Sequence, residues 1–243
     1  MKEENIRTEM VLGKDTTNIL KDKTVAVFGI GGVGGHACDA LARCGIGNFV
    51  LVDNDTVSLS NINRQLIALH STVGRNKTEV MKERILDINP ECNVETVNKF
   101  FLPENANEFD FDKYDYIVDC IDTVSGKIEL VMKANEFNKK IISSMGTGNK
   151  VNPTMFEVSD IYKTSVCPLA KVMRKELKER RIKKLKVVYS KELPIECDKE
   201  LLDEVMKNDN SNKRSVPGSV SFMPSCAGLI IASEVIKDLL AKK

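Results

Sequence analysis

The feature that most constrains this chain is the alternation of strand-like and helix-like segments along its first 190 residues. Apolar, β-branched runs at 24–30, 48–53, 93–98, 115–121 and 140–145 alternate with helix-period segments at 33–44, 74–89, 125–139 and 165–181. Strands that take turns with helices become parallel strands joined by crossover helices, which cover both faces of the sheet. The expected fold is therefore α/β: a Rossmann-like, doubly wound, mostly parallel sheet. Extra C-terminal strands are expected at 150–158 and 184–190, with a mobile crossover loop at 207–217 and a closing apolar helix at 224–240. Residues 5–21 read as one amphipathic helix. At 243 residues the chain is expected to be a single domain, with an N-terminal helix (1–22), a Rossmann-like part (23–149) and a C-terminal part of added strands, helix, loop and closing helix (150–243).

The first strand runs into Gly29-Ile-Gly-Gly-Val-Gly34, a G-x-G-x-x-G turn that opens a helix. Gly29, Gly31, Gly32 and Gly34 would let backbone N–H groups approach phosphates at the helix N-terminus. Asp53, 19 residues past Gly34 at the end of the second strand, is placed to accept ribose hydroxyls. This much suits NAD as well as ATP, and it also suits a non-catalytic nucleotide-binding module. The alternative is that the glycines only permit close helix–strand packing.

The residues beyond Asp53 favour nucleotidyl transfer. Asp55, Asn61, Arg64 and Gln65 crowd just past the strand and Lys77 opens the next helix. Cations gathered beside a nucleotide site are what phosphoryl chemistry needs, because negative charge builds there. Asp119 and Asp122, in Val118-Asp-Cys-Ile-Asp122, bring carboxylates to the same rim, and one of them is a candidate for magnesium.

Other classes find little support. Lys plus Arg number 36 against 35 Asp plus Glu, so no global positive field marks a bulk nucleic-acid coater. Aromatics at 5% argue against a protein built on stacking platforms. No run approaches a membrane span and no secretory segment opens the chain, so the expected compartment is the cytoplasm, with no membrane partner. Seven cysteines form no C-x-x-C pair, which argues against a Cys-type zinc site. His36 and His70 have no ligand partner at metal-site spacing. Cys167, before a proline, is a possible thioester nucleophile, but without a neighbouring histidine it reads as structural, as does Cys226.

GIGGVGG, LVDNDTVSLSNINRQ, VGRNK and VDCID stand in one order and spacing. In this the sequence resembles the ubiquitin-activating-like adenylyltransferase superfamily, which activates carboxylates with ATP. The resemblance implies that Asp53 holds the ribose, Arg64 and Lys77 the phosphates and Asp122 the magnesium ion (Mg2+), with Asn61 and Gln65 in support. It implies a homodimer in which Arg7 of the N-terminal helix reaches the triphosphate of the other subunit. By itself Arg7 reads as a surface arginine. Thr123 stands where many members carry Asn.

The segment 152–170, from NPTMFEVSD to SVCPLA, its basic continuation and Gly218-Ser-Val-Ser-Phe222 look like the branch that dehydrates threonylcarbamoyladenosine in tRNA. The alternative within the superfamily is activation of a small sulfur-carrier protein. The resemblance also brings in a sulfur-carrier or cysteine-desulfurase-system protein as a partner. Residues 171–186 hold nine Lys or Arg and two Glu, a local cationic face for tRNA phosphates or else a solvated helix. Lys171, Arg174, Lys178 and Arg181 are the candidate contacts, with Lys213 and Arg214 extending them.

Overall fold

The structure, a computed structural model, describes residues 3–208 and 217–241. Its centre is a seven-stranded sheet in the order β3-β2-β1-β4-β5-β7-β6. The strands are β1 (Thr24–Phe28), β2 (Asn48–Val52), β3 (Asn93–Val97), β4 (Tyr116–Asp119), β5 (Lys140–Ser144), β6 (Phe156–Asp160) and β7 (Lys186–Ser190). All pairings are parallel except β6 with β7, so the expected Rossmann-like sheet with added C-terminal strands is what forms.

Eight α-helices accompany the strands among the described residues: α1 (Ile6–Leu12), α2 (Thr16–Lys21), α3 (Gly32–Arg43), α4 (Lys77–Ile88), α5 (Val124–Glu136), α6 (Pro168–Glu179), α7 (Lys199–Asn208) and α8 (Phe222–Leu240). The central strands β1 and β4 are mainly apolar and buried on both faces apart from half-buried Thr24, as crossover topology requires, with Asp119 the one charged residue in them. On one face α3 and α8 pack against β1 with Val25, Val27, Leu41 and Ile231 in a common core. On the other face Phe28, Phe101, Phe109 and Phe111 form an aromatic cluster, with the Phe28 and Phe101 rings 5.0 Å apart and edge to face.

Several expected boundaries move, each for a local reason. The N-terminal helix is two helices, because Gly13 (φ +108°) and Asp15 (φ +64°) leave the right-handed region and break the hydrogen-bond ladder. The segment 150–158 is not a strand throughout: Pro153–Met155 make a 3-10 turn and β6 begins at Phe156. The helix expected at 165–181 starts only at Pro168, whose fixed φ suits a first helical position and whose missing N–H is not needed there. It is over before Arg181, which sits at φ +59°. Lys207 and Asn208 belong to α7 rather than to a loop. The rest of the expected crossover loop up to 216, with Lys213 and Arg214, lies outside the described residues. Among the described residues no helix is long and apolar enough to cross a membrane.

Candidate functional site

The chain direction of the crossovers reverses between β1 and β4, and a crevice opens at the carboxyl ends of strands on either side of such a switch. Here it is a cleft of about 420 Å³. Gly29 leaves β1 at φ +89°, and a Cβ there would lie 2.6 Å from the Cys120 carbonyl oxygen of the neighbouring strand's loop. A Cβ on Gly34 would lie 1.9 Å from the Gly29 oxygen, so the turn closes only without side chains. Gly31 and Gly32 line the cleft where α3 begins with no side-chain cap. Its first N–H groups and the positive end of its dipole therefore face the cleft, an arrangement suited to phosphate.

Asp53 follows β2 and is half-buried. Its carboxylate accepts the Ile30 N–H at 2.6 Å and the Asp55 N–H at 2.8 Å, which ties the glycine turn to the second strand. Burial raises its pKa, against the opposing pull of Lys77 and these backbone donors. Lys77, at the start of α4, is buried and its Nζ lies 2.7 Å from Asp55 Oδ2. Arg64 extends along the cleft wall, its guanidinium donating at 2.9 Å to the Ser60 carbonyl and to Asn63 Oδ1. Its pKa is lowered by burial. Asn61 accepts the Ser58 N–H at 3.1 Å, so its oxygen stabilises the turn that carries Arg64. Gln65 is buried beside Gly31, and its Oε1 has no hydrogen-bond partner among the described residues. An orphaned buried acceptor at a cleft wall is what a donor on a bound ligand would satisfy.

Asp119 and Asp122 part company. Asp119 is fully buried in an ion pair with Lys127, 3.0 Å away, and also accepts from Ser143, so it is no rim carboxylate and is not available to a metal. Asp122 is exposed and lines the cleft. Arg7 is exposed on α1 and does not line the cleft of its own chain. Cys167 is buried at the start of α6, and His36 and His70 join no group of three or more potential metal ligands among the described residues.

On the basic segment the structure corrects one expectation. Arg174 donates to the Thr164 carbonyl at 3.0 Å and to its hydroxyl, tethering α6 to the preceding turn rather than facing outward. Arg181 lies beyond the end of α6, so it cannot share the helical face of Arg174 and Lys178. Lys171, Lys175 and Lys178 are exposed at spacings of four and three and do share one.

The cleft also contains residues that the sequence did not single out. Phe28, Phe100 and Phe101 line the cleft together with Lys99, and of the three rings Phe100 is the exposed one. Low aromatic content argues against a stacking surface, but content does not reveal that three of the aromatics line one cleft. The signal is Phe100-Phe101 just beyond the end of β3, separated from Val97 by Asn98 and Lys99.

A sequence profile of the ThiF family matches residues 3–243. The chain belongs to the ThiF family. Among ThiF-family relatives, it is 45% identical over 238 residues to tRNA threonylcarbamoyladenosine dehydratase of Bacillus subtilis, covering 96% of this chain and 93% of that one. It is 34% identical over 237 residues to the dehydratase of Haemophilus influenzae, covering 94% and 90%. The crystal structure of the Escherichia coli dehydratase in complex with ATP superposes with a TM-score of 0.87 at 32% identity, covering 98% of this chain and 94% of that one.

Proposed function

We infer that this ThiF-family protein is an ATP-dependent tRNA threonylcarbamoyladenosine dehydratase that works through an acyl-adenylate. The observation that carries the reading is the cleft itself, where a phosphate-type glycine turn, Asp53, Arg64, Lys77 and Asp122 meet in a chain that matches dehydratases over nearly its whole length.

In the first step an oxygen of the substrate's threonyl carboxylate attacks the α-phosphorus of ATP, and the bond to the leaving pyrophosphate breaks. The α3 N-terminus, Arg64 and Lys77 bind the phosphates and stabilise the charge that grows on them. Asp53 accepts the ribose hydroxyls through lone pairs that its two backbone donors leave available. Phe100 and Phe101 supply the apolar side of the base pocket. In the second step the carbamoyl group of the same substituent attacks the activated carbonyl, closes a five-membered ring and expels AMP. The lost water's oxygen leaves on AMP. Being intramolecular, ring closure depends on orientation more than on a strong nucleophile, and no protein cysteine takes part.

Asp122 suits a magnesium ion shared with the nucleotide. Among the described residues no three potential ligands form a cage, and Mg2+ typically uses one or two carboxylates plus substrate phosphates. When bound, the ion neutralises phosphate charge. Arg7 completes the site of the other subunit in a homodimer, a role supported by its exposure away from its own cleft. Lys171 and Lys178, joined by Lys175, meet the tRNA backbone, and residues 150–243 form the substrate side.

The test is pyrophosphate–ATP exchange. It is expected to require tRNA carrying the threonylcarbamoyl group and to ignore the C-terminus of a sulfur-carrier protein. Exchange driven only by a carrier protein would replace this reading with carrier activation.

A further inference from the structure

Asp119 and Lys127 are both 0% exposed, on β4 and α5, and their charges meet at 3.0 Å. Removing two charges from water is expensive, and an apolar pair of similar shape often serves stability as well or better. What distinguishes this pair is where its remaining hydrogen bonds go. Asp119 Oδ1 accepts the Ile121 N–H at 3.2 Å, and Lys127 Nζ donates to the Ile121 carbonyl at 3.1 Å. Both ends of one residue are thus gripped by the two halves of one ion pair. Ser143 donates to the other carboxylate oxygen, which fixes Asp119 in turn. The gripped residue immediately precedes Asp122, and Cys120 on its other side carries the carbonyl on which the Gly29 turn rests.

We propose that Lys127 and Asp119 are positioning residues that clamp the Ile121 peptide and so fix the Asp122 carboxylate relative to the glycine turn. The proposal rests on the reading of Asp122 as the magnesium-side carboxylate. Neither clamp residue touches substrate. They hold the loop from below, so that the carboxylate is already in place when the nucleotide arrives and does not have to be ordered then.

Lys127→Met alone leaves an uncompensated buried carboxylate and is expected to unfold or strongly destabilise the protein. The informative variant is Lys127→Met with Asp119→Leu, which removes both charges. It is expected to fold with a thermal midpoint near that of the unaltered protein. Exchange of the Ile121 and Asp122 amides in the nucleotide-free protein should be about tenfold faster, as loss of one or two hydrogen bonds implies. The magnesium concentration for half-maximal pyrophosphate exchange should rise by about the same factor, while the Kd for ATP without magnesium stays unchanged. A folded double variant with unaltered amide exchange and unaltered magnesium dependence would overturn the proposal and leave the pair a packing feature. Should the double variant not fold, the same two measurements are made on the near-isosteric neutral pair Asp119→Asn with Lys127→Gln, which leaves no buried charge unpaired and weakens the charge-assisted bonds to Ile121, so that faster amide exchange with a raised magnesium requirement supports the clamp and unaltered values overturn it. Asp122→Asn serves as the control. If it shifts the magnesium dependence and the clamp variants do not, only the positioning role fails. If it shifts nothing, the assignment of Asp122 fails and the proposal falls with it.

Discussion

Lys77 Nζ lies 2.7 Å from Asp55 Oδ2, and the two partners differ sharply in exposure: the lysine side chain is 6% exposed and the carboxylate side chain 58%. The ammonium is thus held inside the cleft wall by a partner that stands in solvent. An ammonium has three donors, so a phosphate oxygen can bind while Asp55 keeps one of them. Lys77→Met is expected to weaken ATP binding about 30-fold or more, the range for loss of a charged hydrogen bond to a buried anion. Asp55→Asn should weaken it less, since Lys77 keeps its charge and loses only its anchor. Calorimetry gives both dissociation constants, and equal affinities across all three proteins would remove Lys77 from the phosphate site.

Asp53 yields a pH test. Its pKa is raised by burial, so the folded protein holds this proton at a higher pH than the unfolded chain does. The cost of burying the charge is therefore full at neutral pH. It is relieved as pH falls through the raised folded value towards about 3.9, the unfolded reference. Relative to Asp53→Asn, which cannot titrate, the unaltered protein should gain stability on going from pH 7 to pH 4. Thermal midpoints of the two proteins across that range supply the difference, and a constant gap would contradict it. The same variant is expected to bind ATP more weakly.

The basic helix makes a separate prediction. Reversing Lys171, Lys175 and Lys178 to Glu should weaken tRNA binding and flatten the slope of log affinity against log salt, by roughly 0.7 to 0.9 for each phosphate no longer neutralised. ATP affinity should not change. Arg174→Gln, by contrast, should lower stability through the loss of its bonds to Thr164 and leave the salt slope as it was. Filter binding over a salt series separates the two, and an unchanged slope in the triple variant would make the run a solvated face.

Arg7 can be tested by complementation. Arg7→Ala and Asp122→Ala should each abolish turnover when made alone. Co-expressed, they form hybrid dimers in which one site has its own Asp122 and the partner's arginine. With random pairing about a quarter of all sites are then whole. Recovery of roughly that fraction of turnover supports action in trans. No recovery from a purified hybrid dimer would contradict action in trans, and full turnover by Arg7→Ala alone would place Arg7 outside the site.

How much of the fold and the site is readable in the sequence depends on how far each feature reaches along the chain. The glycine turn, Asp53 and Lys77 are short-range: each follows a strand end or opens a helix, and the spacing fixes its place. Asp119 looks like one more rim carboxylate, because nothing in Val118-Asp-Cys-Ile-Asp122 reveals that its side chain points inward. Its partners Lys127 and Ser143 come from the next helix and the next strand, and only the parallel pairing of β4 with β5 brings the serine alongside. Arg174 misleads for a similar reason, since helical spacing puts it with its basic neighbours while Thr164, ten residues earlier, holds it. The break between α1 and α2 is signalled by Gly13, but the amphipathic pattern runs on past the glycine and hides it.

The most direct measurement of the central claim is the mass of the modified nucleoside. The protein is incubated with ATP, magnesium and tRNA bearing threonylcarbamoyladenosine, the tRNA is digested, and the nucleosides are weighed with nucleotide products quantified in parallel. The expected result is loss of one water from that nucleoside alone, with one AMP and one pyrophosphate formed per nucleoside converted. An unchanged nucleoside mass under conditions where the protein is folded and binds ATP would contradict it.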